Sequence, residues 1–198
     1  FVGYADYGTG QPGDNTGGGA TVTVNNSSGS SPLTVRFTDD GGFGDNTLSA
    51  FTLSGGGSSS DTDALTIDVG NATFIVSGII GGSAGLGAIN ITGNLNLDAN
   101  ITSATSLNVS STTDIGANIT TTGNQTYQGD VTLSADSTLT TSSNGTVSFD
   151  TTVNGAQTLD ITTNGTGDVT FTGAVGGSTG LNSITINTND FNAANITL

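Results

Sequence analysis

The sequence predicts an all-β protein built as a parallel β-solenoid, or β-helix, preceded by an atypical N-terminal capping and extension region. Three observations indicate this fold class: segments recur with periods of about 20 residues, apolar residues come in i, i+2 pairs, and Gly- and Asn-rich turn signals separate the pairs. Asn-Gly and Gly-Gly turns also suit hairpins, so an antiparallel β-sandwich is the alternative. Helix is excluded, because no comparable window has apolar residues at helical spacing.

The repeats keep hydrophobic positions as well as glycines. "VSGIIGGSAGLGAINITGNLNLDANIT", which starts at Val76, matches "FTGAVGGSTGLNSITINTNDFNAANIT", which starts at Phe171. Two shorter matches are "LDANIT" at 97 with "IGANIT" at 115, and "GTVSFDTTVNG" at 145 with "GDVTFTGAVGG" at 167. Such periods are typical of a solenoid, in which each repeat is one coil that buries its apolar face on its neighbours.

The apolar pairs predict which side chains point inward. Residues two apart on a strand share a face, and the residue between them is usually Thr, Asn, Ser or Asp. Coils stacked about 4.8 Å apart would make residues 64–198 a rod of roughly six coils and about 30 Å. We also expect Phe191 in the core, with these residues inward: Val131, Leu133, Val147, Phe149, Leu159, Ile161, Val169, Phe171, Ile184 and Ile186.

The chain divides into three regions. Residues 1–20 are a Gly-rich arm that carries Phe1, Tyr4 and Tyr7. Residues 21–63 form a β-rich cap, because "TVTVNN", "LTVRFTDD" and "SAFTLSG" alternate like strands without the downstream repeat. Residues 64–198 hold the solenoid repeats. Terminal coils of solenoids are commonly atypical, because they cover an exposed edge.

Composition excludes several function classes. The 198 residues carry a formal charge of −15, all 16 acidic residues are Asp, and Arg36 is the sole base. We therefore expect no nucleic-acid partner, since nothing would neutralise phosphates, and no membrane insertion, since no apolar run is long enough. The absence of His and Cys excludes thiolate metal sites and nucleophilic triads.

One segment resembles a calcium-binding unit. "GGFGDNTLS", at 41–49, is similar to one Gly-rich, Asp-containing nonapeptide of a β-roll, which makes Asp39, Asp40 and Asp45 the candidate calcium ligands. Asn46 stands where that pattern has Asp, and a roll shares its ion between successive turns. We therefore expect that folding needs no metal or cofactor.

The acidic residues offer one enzymatic alternative. Paired Asp carboxylates can hydrolyse glycosides, so a secreted β-helical polysaccharide-degrading enzyme remains open. Most of these side chains belong to polar positions of the repeats, which favours a solvated face over a catalytic pair. Tyr127 is the one repeat aromatic left as a sugar platform. The candidates are Asp130, Asp150, Asp160, Asp168 and Asp190.

Residues 71–198 resemble repeats of the filamentous-haemagglutinin-like adhesins, very large secreted bacterial surface proteins. The resemblance depends on "NQTYQGDVTL", "TVNGAQTLDI" and "FTGAVGGSTGL", which occur in that order within 120–186. It implies a right-handed parallel β-helix, export, and a role in attachment, biofilm or fibre formation. The first 60 residues lack the "NPNGI"-like motif of that family's secretion domain, and the chain is far shorter than those adhesins.

These observations predict a non-enzymatic extracellular or cell-surface protein that forms a filament or an adhesin stalk. We expect self-association end to end, because the repeat pattern continues through Ile196 to Leu198 without a polar cap. The arm with Phe1, Tyr4 and Tyr7 would add a strand to a neighbour's edge. Host or matrix glycans are the other expected partners, and salt should promote assembly by screening repulsion between the acidic chains.

Overall fold

The computed structural model describes residues 33–36, 64–81 and 86–198, and all regular structure in these ranges is β-strand. The predicted parallel β-solenoid is confirmed, with about six turns. The strands are β1 (Leu33–Arg36), β2 (Leu65–Val76), β3 (Leu86–Leu97), β4 (Ile101–Val109), β5 (Thr113–Ile115), β6 (Ile119–Thr121), β7 (Gln125–Tyr127), β8 (Val131–Leu133), β9 (Ser137–Thr141), β10 (Val147–Phe149), β11 (Val153–Asn154), β12 (Thr158–Thr163), β13 (Val169–Val175), β14 (Ser183–Asn187) and β15 (Phe191–Ile196).

Strands of successive coils pair in parallel and form three ladders along the rod. Ladder A runs through β1, β2, β3, β4, β7, β10, β13 and β15. Ladder B runs through later parts of β2, β3, β13 and β15, with β5, β8 and β11 between them. Ladder C joins the starts of β3 and β4 to β6, β9, β12 and β14. No pairing in the described ranges is antiparallel, so the sandwich alternative is wrong.

The registers reproduce the short repeats of the sequence. Ile115 pairs with Leu97, and Val147 pairs with Val169, so coils of 18 and 22 residues both occur. The longer match, between the segments that start at Val76 and Phe171, does not follow a single ladder. Ile89, on ladder A, corresponds in sequence to Ile184, which lies on ladder C. That match therefore relates strands on different ladders, because all three ladders use the same apolar–polar alternation.

Inward side chains form continuous columns through the core. All the predicted inward residues from Val131 to Phe171 are buried, whereas Ile184 and Ile186 are only partly buried against the core. On ladder A the rings of Tyr127 and Phe149 stack with their centroids 5.0 Å apart, and those of Phe149 and Phe171 stack at 4.7 Å. Stacking in register therefore places like side chains directly above one another, as the repeats predict.

The corners between ladders hold the coils close together. The Asn118 N–H donates to Asn100 Oδ1 at 2.9 Å, so a side chain of one coil binds the main chain of the next. At another corner Gly145 lies directly against Gly123 of the preceding coil, where a Cβ atom would meet main-chain atoms. Asn and Gly are thus selected by the distance between coils as well as by turn geometry.

Within the predicted cap, the described strand β1 joins the solenoid. Leu33 pairs with Leu65, and Val35 pairs with Ile67, so ladder A extends into residues 21–63. The remaining residues of the predicted cap lie outside the described ranges, as does the arm of residues 1–20. The three region boundaries stay a prediction.

Candidate functional site

The last described coil leaves part of the core cross-section uncovered. We call β14, β15 and residues 188–190 between them the terminal edge. Among the described residues these two strands pair on one side only, β14 with β12 and β15 with β13. Inward residues that would be sealed in an earlier coil are partly exposed here: Ile184, Ile186, Ala193 and Ile196. The terminal edge is therefore an apolar surface bordered by a strand edge.

Phe191 is the largest apolar side chain at this edge. It was predicted to lie in the core, but 47% of its surface is exposed, because no described coil covers it. Its ring meets Phe171 edge-on, with the centroids 6.1 Å apart, and thus ends the aromatic column. Phe191 is therefore a half-exposed member of the aromatic column.

Main-chain groups at the terminal edge also lack a hydrogen-bond partner in the part of the chain that the structure describes. In earlier coils the N–H groups of Gln125, Val147 and Val169 donate to carbonyl oxygens of the following coil at 2.9 Å. Phe191 occupies the equivalent position in the last coil, and no such acceptor exists among the described residues. An added parallel strand would provide this acceptor.

The Asp190 carboxylate ends a column of side-chain acceptors. Asn124 Oδ1 accepts from the Thr146 N–H at 2.9 Å, and Thr146 Oγ1 accepts from the Asp168 N–H at 3.4 Å. Asp168 Oδ1 then accepts from the Asp190 N–H at 3.2 Å. Asp190 itself is exposed, and its carboxylate accepts no hydrogen bond from any described residue.

Tyr127 does not provide a sugar platform, so that expectation is wrong. Its ring is fully buried within ladder A, and burial raises the pKa of its hydroxyl above the ordinary value. The hydroxyl donates to Gln125 Oε1 at 3.1 Å, and Gln125 Nε2 donates to the Thr140 carbonyl at 2.9 Å. Both side chains are therefore part of an internal polar cluster with no contact to solvent.

The Asp side chains lie at corners or outward positions of the coils. Of the five Asp residues considered as catalytic candidates, Asp130 has a lowered pKa, because the Thr152 hydroxyl and N–H donate to its Oδ1 at 2.8 and 3.2 Å. A general acid needs the opposite shift, toward a higher pKa. Asp160 points outward on ladder C beside Leu159, and Asp150 is exposed after β10.

Several predicted site residues lie outside the described ranges. These are the calcium candidates Asp39, Asp40 and Asp45 and the arm residues Phe1, Tyr4 and Tyr7. Within 33–36, 64–81 and 86–198 no three His, Cys, Asp or Glu side chains come together as a metal site. The same ranges contain no helix with the length and hydropathy to cross a membrane.

Two predicted assembly residues belong to the terminal edge or follow it directly. Ile196 is partly buried beside Val175, and 67% of Leu198 is exposed. The sequence reading missed Asp190 as part of this edge. A signal was present, since Thr146, Asp168 and Asp190 each precede a ladder A strand at intervals of 22 residues.

No family model, curated protein or solved structure matched the chain.

Proposed function

We propose that this chain is a non-enzymatic structural or adhesive element of an extracellular filament or stalk at a cell surface. The observation that carries the proposal is the stack of about six parallel coils with one core that continues from coil to coil, which is the architecture of a rod. A strand edge at the end of such a rod gains burial and hydrogen bonds when a further parallel coil covers it. A second copy of the chain is the proposed source of that coil.

The regular exterior is consistent with a rod. From β3 to β15 the outward residues of ladder A are uncharged Thr, Asn and Ser, with Thr126, Ser148 and Thr170 in register, whereas β2 carries Asp68. An uncharged polar face suits contact with neutral host or matrix glycans better than with polyanions, which the acidic chain repels. The resemblance of 71–198 to repeats of filamentous-haemagglutinin-like adhesins points in the same direction, and we adopt attachment or fibre formation as the proposed role.

Light scattering and electron microscopy of the purified 198-residue chain test this proposal. We expect rods that lengthen with protein concentration and with added NaCl, because salt screens repulsion between subunits of charge −15. Phe191→Asp should abolish lengthening, since it places a charge on the apolar surface. The matched control Thr170→Asp adds the same charge to the outer face of ladder A and should leave assembly intact.

Two results would overturn the proposal. One is a wild-type chain that stays monomeric at every concentration and salt condition. The other is Phe191→Asp assembling as well as Thr170→Asp. Deleting residues 1–20 tests the predicted arm separately: loss of filaments would support its added strand, and unchanged filaments would remove the arm from the account.

A further inference from the structure

The outward face of ladder C carries two straight columns of short polar side chains. Strands β6, β9, β12 and β14 pair without any register shift, so outward residues of successive coils lie directly above one another. One column consists of Thr120, Thr140, Thr162 and Asn187. The other lies two residues earlier on each strand and consists of Thr138, Asp160 and Thr185. We call these two columns, whose side chains are all exposed or partly exposed, the threonine face.

The hydroxyls of the threonine face are not used within the molecule. In the part of the chain that the structure describes, the Oγ1 atoms of its threonines make no hydrogen bond. Hydroxyls on other sides of the rod are engaged. The Thr152 hydroxyl donates to Asp130 at 2.8 Å, and on ladder A the Ser148 hydroxyl donates to Thr126 at 3.4 Å. The threonine face therefore offers a regular set of donors and acceptors to a partner outside the chain.

Charge restricts what that partner is. One column of the threonine face carries no charge, in a chain of formal charge −15, and Asp160 is the one charged residue of the other column. Ladder A is bordered by Asp150 and Asp168 at the ends of its strands, and ladder B carries Asp114 on β5. Because removing a carboxylate from water is costly, a neutral partner fits the threonine face better than the other two faces.

The two columns form a nearly rectangular lattice of hydroxyls. Strands of adjacent coils lie about 4.8 Å apart, and residues i and i+2 of one strand lie about 6.6 Å apart. Water oxygens on the prism face of hexagonal ice repeat at similar distances in two perpendicular directions. The β-branched Thr side chain is also stiff at χ1, so its hydroxyl and methyl groups lose little conformational freedom when they are fixed against a surface.

We propose that the threonine face binds ice. Its hydroxyls exchange hydrogen bonds with the outermost water layer of the crystal, and the Thr methyl groups lie between those water molecules. Ice is neutral and repeats in two dimensions, as this face does. The threonine face lies on a side of the rod, so ice binding does not depend on end-to-end assembly and adds an adhesive surface to the proposed structural role.

Thermal hysteresis and the shape of single ice crystals in a solution of the 198-residue chain test ice binding. We expect faceted crystals and a freezing point below the melting point, because protein adsorbed on the ice front hinders its growth. Round crystals with no gap between the two temperatures, at every protein concentration, would overturn the proposal.

Thr140→Tyr tests the location of the binding surface. Thr140 lies between Thr120 and Thr162 in the uncharged column, so a larger side chain there holds the ice away from its neighbours. We expect the gap between freezing and melting to be lost. Thr170→Tyr is the matched control, because it places the same side chain on the outward face of ladder A, and it should keep the wild-type gap. Equal gaps in the two variants, or loss of the gap in both, would refute the assignment to ladder C.

Asp160→Thr tests the need for a complete, neutral lattice. It fills the charged position of the second column and should enlarge the gap between freezing and melting. The matched control Asp150→Thr removes the same charge at an exposed position after β10 and should leave the gap unchanged. A gap in Asp160→Thr no larger than that in Asp150→Thr would contradict the match to ice. Circular dichroism near 0 °C verifies that the variants are folded, and Asp160→Thr keeps the test decisive if Thr140→Tyr does not fold.

Discussion

An interior coil and the terminal edge use the same residue chemistry but differ in burial. Phe171 and Phe191 both lie on ladder A, yet 1% of Phe171 is exposed against 47% of Phe191. Val175 is fully buried, while its partner Ile196 is only partly covered. The difference arises because a solenoid coil is buried by its two neighbours and not by its own sequence. Stability in this molecule is therefore a sum of contacts between adjacent coils.

The largest change in the free energy of unfolding should come from removing a ring of the aromatic column, and it should differ between Phe171 and Phe191. Phe171→Ala should lower the free energy of unfolding by about 3–5 kcal/mol, because it leaves a cavity between two coils. Phe191→Ala should lower it by about 1 kcal/mol, because half of the ring is already in water. Urea denaturation of both variants at a concentration where the chain is monomeric measures the difference. Equal losses of unfolding free energy in the two variants would contradict the difference in burial between the two coils.

A smaller effect is expected where main chains of adjacent coils nearly touch. Gly145→Ala should cost about 1–3 kcal/mol, because its Cβ would meet the main chain of Gly123. Gly177→Ala is the matched control, since its position is exposed and its Cβ would approach Ala174 Cβ at 3.3 Å. We expect the control to change stability within about 0.5 kcal/mol. Thermal unfolding of both proteins tests the distance between coils at the corner.

Gln125 and Tyr127, in the polar cluster of the interior coils, should be coupled in their effects on the free energy of unfolding. Gln125→Leu leaves the buried Tyr127 hydroxyl without its acceptor and should cost about 1–3 kcal/mol. Adding Tyr127→Phe removes that hydroxyl, so the double variant should be less destabilised than the sum of the two single variants by about 1 kcal/mol. A double-mutant cycle measures this coupling. Strict additivity would contradict the hydrogen bond.

The smallest effect concerns an exposed corner. The lowered pKa of Asp130 means that its ionised form stabilises the fold above the unfolded value of about 3.9. That contribution is lost as pH falls through the lower, folded-state pKa. Asp130→Asn should therefore be slightly less stable than the wild type near neutral pH, with the difference vanishing in acid. Melting temperatures between pH 2 and pH 7 test this, and a difference that persisted in acid would contradict it. Solvent screening keeps the effect small.

The fold was largely readable from the sequence, because burial in a solenoid is periodic. The spacing of Val147, Phe149, Val169 and Phe171 predicted the inward columns, and the structure adds that the two Phe rings stack. Which ladder a strand joins was not readable. Ile89 and Ile184 sit in matching segments but lie on different ladders, since the ladders share one alternation and coil length varies at the corners.

Individual side chains were harder to place than strands. Tyr127 looked like a surface ring, yet Gln125 provides an internal acceptor that allows its hydroxyl to be buried. Phe191 looked like core, but a covering coil is needed to bury it. Asp190 was named only as a candidate carboxylate, because its place after Asp168 in one column follows from the register between coils. Each of these misses concerns a neighbour in space that lies about 20 residues away in sequence.

Insertion of one extra coil tests most directly the central claim that coils stack in parallel, in register, and are buried by their neighbours. A second copy of residues 147–168 placed after Asp168 adds one period of 22 residues, and 11 residues of the same segment provide the matched control. We expect the full-period protein to fold, to have a higher free energy of unfolding, and to be longer by about 4.8 Å in small-angle X-ray scattering. The half period should be strongly destabilising. A full-period insertion that destabilises the protein as much as the half period would contradict the account.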